Sequence, residues 1–202
     1  MKKYIYLISP QKIRGAKFYK DLNDVLKTNK VKYFQLRLKN ISNSNLFKIS
    51  KKVKKIVKKN NVKFLINDNP LLAKKVGADG CHIGQKDMNF INSRKILGKN
   101  KIIGITCHNS KKLALKAKKN GANYVAFGSF FKSSTKKTNF RANLEILRWT
   151  KKKINMPTVA IGGINISNYK KILSNGANFI ACSNYVLNNK KLDPVSAIKK
   201  FK

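Results

Sequence analysis

The chain has 202 residues, 42% of them hydrophobic, enough for one sizeable core and near the lower size limit of an eightfold βα barrel. Its 46 Lys+Arg against 7 Asp+Glu give a formal net charge of +39, which by itself points toward nucleic acid or an anionic surface. No apolar run of about 18 residues is present to cross a bilayer, and three widely spaced cysteines, Cys81, Cys107 and Cys182, argue against a disulfide framework and for reduced, semi-buried thiols.

The distribution of the charge matters more than its sum. Lysines recur at helical spacing in Lys51-Lys52, Lys54-Lys55, Lys58-Lys59, Lys111-Lys112, Lys116, Lys118-Lys119, Lys151 to Lys153 and Lys170-Lys171. These runs read as outer helix faces in a chain drifted toward Lys and Asn. No dedicated nucleic-acid motif is visible.

In chain order, short β-branched or aromatic runs alternate with longer amphipathic ones. Met1 to Pro10 lacks a small-residue cleavage site and reads as a first strand, Tyr4-Ile8, of a cytoplasmic protein. Further strands are expected at Lys32-Arg37, Val62-Asn67, Asp79-Ile83, Lys101-Ile105, Tyr124-Gly128, Thr158-Ile161 and Asn178-Cys182. Helices such as Asn45-Lys59, Ser110-Asn120 and Ala142-Lys152 lie between them. The phrase Gly-Ala-Asx recurs at Gly77-Ala78-Asp79, Gly121-Ala122-Asn123 and Gly176-Ala177-Asn178, where Gly supplies a left-handed helix stop. Eight such units predict an α/β chain folded as a single (β/α)8 TIM barrel over residues 1–202. A doubly wound open sheet would normally place a Gly-rich turn after the first strand, and Ser9-Pro10-Gln11 is not one.

The chemistry of such a barrel sits at the C-terminal ends of its strands. Alternation along the second strand puts Gln35, Arg37 and Lys39 on one inward face, where two cations suit a phosphate-bearing ligand. The third strand ends Asn67-Asp68, and the fourth runs on to Asp87. Carboxylates leaving adjacent strands can share one Mg²⁺, which takes one or two carboxylates and completes its shell with water and phosphate. Asp79, at the opposite end of its strand, is expected to be structural. Cys81-His82 and Cys107-His108 invite a zinc reading, but adjacent strand residues face opposite ways. His82 is therefore expected to be a packed, supporting histidine and His108 a loop residue near the mouth. After the sixth strand, Lys132-Ser133-Ser134-Thr135-Lys136 suits an anion-binding loop over the mouth. Gly162-Gly163 and Ser183-Asn184 end the seventh and eighth strands, where barrels of this type often bind a phosphate.

The ordered set Gln35-Leu-Arg-Leu-Lys39, Ile66-Asn-Asp68, Ala78-Asp-Gly-Cys-His-Ile-Gly-Gln-Lys-Asp87, Thr135-Lys136 and Val159-Ala-Ile-Gly-Gly-Ile164 resembles thiamine phosphate synthase over almost the whole chain. The resemblance implies that a hydroxymethylpyrimidine diphosphate loses pyrophosphate and the nitrogen of a thiazole phosphate attacks the resulting cation. It implies one Mg²⁺ ion at Asp68 and Asp87. Pyrimidine-diphosphate contacts then fall on Gln35, Arg37, Lys39, Asn67, Thr106 and Lys136, and thiazole-phosphate contacts on Ser133, Ser134, Thr135, Gly162, Gly163, Ser183 and Asn184. Three positions depart from the family pattern: Thr106 stands where Ser is usual, Lys132-Ser133 where Pro-Thr is common, and Ser183-Asn184 where Val-Ser is common.

The expected partners are the two small-molecule substrates, with a homodimer left open and no dedicated nucleic-acid or membrane partner. The nearest rival is a thiazole tautomerase-like barrel, whose members typically carry His where this chain has Ser129. A basic nucleic-acid-binding protein is the rival from a different class.

Overall fold

The computed structural model describes residues 4–13, 15–132 and 139–202. Strand and helix alternate through β1 (Ile5–Ile8), α1 (Lys17–Lys27), β2 (Val31–Leu36), α2 (Asn43–Lys59), β3 (Lys63–Asn67), α3 (Pro70–Val76), β4 (Gly80–Ile83) and α4 (Phe90–Leu97). They continue through β5 (Ile102–His108), α5 (Lys111–Lys119), β6 (Tyr124–Gly128), α6 (Leu144–Lys153), β7 (Thr158–Ile161), α7 (Tyr169–Ser174), β8 (Phe179–Cys182), α8 (Asn184–Leu187) and α9 (Pro194–Lys199). Neighbouring strands pair in parallel in chain order and β8 returns to β1, which closes the barrel.

Strand parity divides the apolar residues into two cores. Ile5 and Leu7 of β1 face the helices while Tyr6 and Ile8 face the barrel interior. Likewise Val125 and Phe127 of β6 point out, and Tyr124 and Ala126 point in. The outer core takes one stripe from each long helix: in α2, Val53 and Val57 are fully buried while Lys51, Lys52, Lys55, Lys58 and Lys59 are exposed. Burying each such valine contributes roughly 1.5–3 kcal/mol. The lysines occupy the face that has no packing to lose. Asparagine and serine serve as helix caps: Ser42, Asn69, Asn89, Ser110 and Asn143 each accept a backbone N–H from the first turn of the following helix.

Every helix from α1 to α7 is followed by a left-handed residue, namely Asn29, Asn61, Gly77, Gly98, Gly121, Asn155 and Gly176. The recurring Gly-Ala-Asx phrase is one version of this stop, and its third residue has a separate task. Asp79 Oδ2 accepts the Phe64 N–H at 2.8 Å and Asp79 N–H donates back to Phe64 O at 2.8 Å. Asn123 makes the same reciprocal pair with Ile103, and Asn178 with Thr158. Each Asx thus staples the start of one strand to the strand that follows it. Lys63 also pairs with Asp79 at 3.4 Å, consistent with a structural aspartate.

Two expectations are corrected. The fifth strand does not stop at Ile105 but runs to His108, because the pairing with β6 shifts between Thr106 and His108 and lets the chain continue. His108 is therefore the last residue of a strand, left-handed at φ 53°, rather than a loop residue. The second strand ends at Leu36, so Arg37 and Lys39 do not extend its alternation: the Arg37 N–H turns to Ser9 Oγ and the Lys39 N–H to Gln11 O. Among the described residues, no helix is long and apolar enough to cross a membrane.

Candidate active site

The ends of β2, β3 and β4 bring together the residues expected to hold a diphosphate and its metal. Asp68 follows β3 in a left-handed conformation, φ 61°, uncommon for a residue with a Cβ, and its N–H is held by His82 O at 2.8 Å. Holding such a backbone costs about 1–3 kcal/mol and tends to mark a functional site. Its Oδ2 receives Lys39 Nζ at 3.2 Å and the Asn67 side-chain amide. Asp87 reaches the same place from the loop after β4, where its Oδ2 accepts the Gly84 N–H at 2.7 Å. A Cβ at Gly84 would stand 2.8 Å from that oxygen, so glycine permits the approach. Partial desolvation, followed by contact with the Asp68 carboxyl, holds the Asp87 carboxyl above its ordinary range. Two carboxyl groups in contact, with an ammonium on one side, form a hard, oxygen-rich, under-neutralised pair. That donor set fits Mg²⁺.

Gln35, one residue before the end of β2, faces inward and is buried, whereas Arg37 is half-buried and Lys39 exposed in the turn beyond it. Ser9, at the end of β1, joins this side to the opposite one. Its N–H donates to Gln35 O, its Oγ accepts the Arg37 N–H at 2.8 Å, and its carbonyl accepts Ser183 Oγ at 3.3 Å.

Across the mouth, Gly162 and Gly163 leave β7 with φ 107° and 62°. Side chains there would collide with Ser129, Phe131 and the Lys132 carbonyl, so these glycines also serve close packing of the β6 loop. Phe131 N–H donates to Gly162 O at 3.0 Å. Ser129 is buried, with its hydroxyl donated to Phe131 O at 2.5 Å, an arrangement that offers no base. Ser183 and Asn184 open α8, where Ser183 O accepts the Val186 and Leu187 N–H groups and Asn184 Oδ1 accepts from Asn188. Since Ile161 pairs with Ala181, the Gly162-Gly163 and Ser183-Asn184 segments leave adjacent strands. Ser133, Ser134, Thr135 and Lys136 lie outside the described residues. A cavity of about 790 Å³, lined by Pro10, Gln11, Phe18, Asn184, Leu192 and Pro194 among others, lies beside this half, and no residue of the Asp68–Asp87 group lines it.

Thr106 reaches the mouth from β5, and its carbonyl accepts Gln85 Nε2 at 2.5 Å. His82 supports it from β4, with Nε2 2.8 Å from Thr106 Oγ1 and Nδ1 2.9 Å from the Tyr124 hydroxyl. Cys81 and Cys107 face the outer core, on the opposite side of their strands, as alternation requires. Burial pushes all three thiols up to about 12, which keeps them neutral. Sequence reasoning missed Ser9, Gln85, Tyr6 and Tyr124. The one available signal was the inward parity of the two tyrosines.

Residues 5–186 match the family model described as thiamine monophosphate synthase. The chain is 59% identical over 201 residues to a thiamine-phosphate synthase of Pelagibacter ubique, covering 100% of this chain and 97% of that protein. It is 36% identical over 197 residues to the enzyme of that name from Rhodospirillum centenum, covering 98% and 95% respectively. Among solved structures, a thiamine phosphate pyrophosphorylase from Pyrococcus furiosus superposes with a TM-score of 0.86 at 28% identity, covering 98% of this chain and 93% of the other. With its closed barrel and its paired strand-end aspartates, the chain belongs to the thiamine monophosphate synthase family.

Proposed function

We propose that this barrel joins a hydroxymethylpyrimidine diphosphate to a thiazole phosphate, with one Mg²⁺ ion, giving thiamine phosphate and diphosphate. The carrying observation is the meeting of Asp68, Asp87 and Lys39 at one point of the mouth. The bond between the pyrimidine's exocyclic carbon and the diphosphate oxygen breaks, with its electron pair leaving on the diphosphate. The thiazole nitrogen's lone pair then forms the new C–N bond. Neither a protein nucleophile nor a general base is needed, which agrees with the committed hydroxyl of Ser129.

Asp68 and Asp87 would hold the ion, which when bound offsets charge growing on the leaving diphosphate. Lys39 and Arg37 supply fixed cations on the same side, with Lys136 a further contact outside the described residues. Gln35, Asn67 and Thr106 orient the pyrimidine. Gly162, Gly163, Ser183 and Asn184 hold the thiazole phosphate, together with Ser133, Ser134 and Thr135 of the undescribed loop. Ser9 couples the two halves, which must place carbon and nitrogen within bonding reach. Three buried free thiols suit a reducing compartment, which supports a cytoplasmic location with two small molecules as the partners.

The test is coupling of the two purified precursors with and without Mg²⁺, alongside calorimetric titration of the metal. Wild type should form product only with the ion. Asp68→Asn and Asp87→Asn should lose about 100-fold in turnover and weaken metal binding. Full activity in both variants would sink the metal assignment. No product from wild type, together with nucleic-acid binding that persists at physiological salt, would turn the reading to a polyanion-binding protein.

A further inference from the structure

We propose that Tyr6, Tyr124 and His82 form a one-directional hydrogen-bond chain along the barrel interior that presents the Thr106 hydroxyl to the pyrimidine as a donor, which makes all three positioning residues. The chain is continuous: Tyr6 Oη lies 2.8 Å from Tyr124 Oη, Tyr124 Oη 2.9 Å from His82 Nδ1, and His82 Nε2 2.8 Å from Thr106 Oγ1. It starts in the closed interior, where Tyr6 and Tyr124 are 2% and 1% exposed, and ends at a strand end in the mouth.

Its direction follows from the buried end. Among the described residues, the Tyr6 hydroxyl meets one hydrogen-bond partner, the Tyr124 oxygen. If Tyr6 accepted there, its own proton would be buried without an acceptor, which is disfavoured. Tyr6 therefore donates to Tyr124, and Tyr124 must donate onward to His82 Nδ1. A neutral imidazole carries a single N–H, so the proton sits on Nε2 and is given to Thr106 Oγ1. With that lone pair taken, the Thr106 proton turns toward the mouth. Burial keeps both phenols protonated, which preserves the source of the chain.

The surrounding structure is built to hold it. A Cβ at Gly104 would stand 1.8 Å from Tyr124 Cζ, so the ring's place depends on that glycine. His82 stacks on Tyr124 with 15° between the ring planes. Thr106 is stiff at χ1 and its carbonyl is held by Gln85, so the hydroxyl proton is the remaining freedom. A donor so fixed selects a ligand atom with a lone pair, such as an unprotonated ring nitrogen, over an N–H.

This inference rests on the reading of Thr106 as a pyrimidine contact, and its test separates the two. Nitrogen-15 NMR of the free protein with labelled histidine, His82 being assigned through His82→Gln, should show the Nε2–H tautomer in wild type. Tyr124→Phe leaves His82 Nδ1 without its donor and should give a mixture of tautomers, whereas Tyr6→Phe leaves Tyr124 with His82 as its acceptor and should keep the Nε2–H form. Tyr124→Phe removes one hydroxyl and should raise KM for the pyrimidine diphosphate about tenfold, leaving KM for the thiazole phosphate within about twofold. A merely structural tyrosine would move both constants together and leave the tautomer unchanged. An Nδ1–H tautomer in wild type, or an equal rise in both KM values, overturns the proposal. Absence of coupling in wild type overturns the pyrimidine role and the proposed function alike, while the tautomer still decides the direction of the chain.

Discussion

The two rims of the barrel use the same residue type in opposite ways. At the N-terminal rim, Asp79 spends its carboxylate on the Phe64 amide and on Lys63, and Asn123 and Asn178 repeat the amide pairing at two other strand pairs. At the C-terminal rim, Asp68 stands in a left-handed backbone with Asp87 against it. The first arrangement is complete within the protein. The second keeps two like charges in contact, and a bound cation would relieve them. The difference teaches that the partners of an aspartate, more than its conspicuousness in an acid-poor chain, separate a scaffold from a site.

The contrast can be broken most forcefully by exchanging which property each rim loses. Asp68→Asn should cut turnover by the stated factor of about 100 while shifting Tm by no more than about 2 °C. Asp79→Ala should do the reverse, with a cost of about 2 kcal/mol, roughly 4–8 °C in Tm by thermal melting, and kcat/KM within about twofold of wild type. If the two variants failed in the same assay, the division between rims would be lost.

A finer test uses pH on the metal-free protein. The Asp87 carboxyl is raised in the fold relative to the unfolded chain, so its favourable contribution is whole below the unfolded value near pH 4 and fades as pH rises through the folded one. Asp87→Asn should therefore raise Tm slightly at about pH 7 and leave it unchanged at about pH 3. A gain of equal size at both values would remove the paired carboxyl groups as its cause. The smallest effect is expected on the outer surface, where Lys111→Ala breaks the exposed Glu145 pair and should change stability by less than about 0.5 kcal/mol in urea melts.

Much of the architecture was legible because alternation and helix stops are local signals. Asp68 and Asp87 stood out because acids are scarce, and strand ends are where a barrel keeps its chemistry. The Thr106-Cys107-His108 segment was misread because a shift in pairing register depends on the neighbouring strand. The turn at Arg37 and Lys39 was misread for a similar reason, since their amides are claimed by Ser9 and Gln11 of the β1 loop. Tyr6 and Tyr124 look like ordinary strand residues along the chain. Only the closed barrel shows that their hydroxyls meet each other and that Gly104 clears the space.

The Asx staples carry a consequence for how the barrel is assembled. They fall between β3 and β4, β5 and β6, and β7 and β8, joining residues 15, 20 and 20 positions apart. Short loops close at little entropic cost, so each staple can form inside its own βαβ unit before the ring exists. The barrel is then expected to gather from pre-formed pairs, with β1 and β2, which lack a staple of this kind among the described residues, docking late. Pulsed hydrogen exchange during refolding should protect the Phe64, Ile103 and Thr158 amides ahead of the Ile5 amide, which donates to Lys30 O across the unstapled pair. Protection of Ile5 first would mean that closure of the ring precedes its parts.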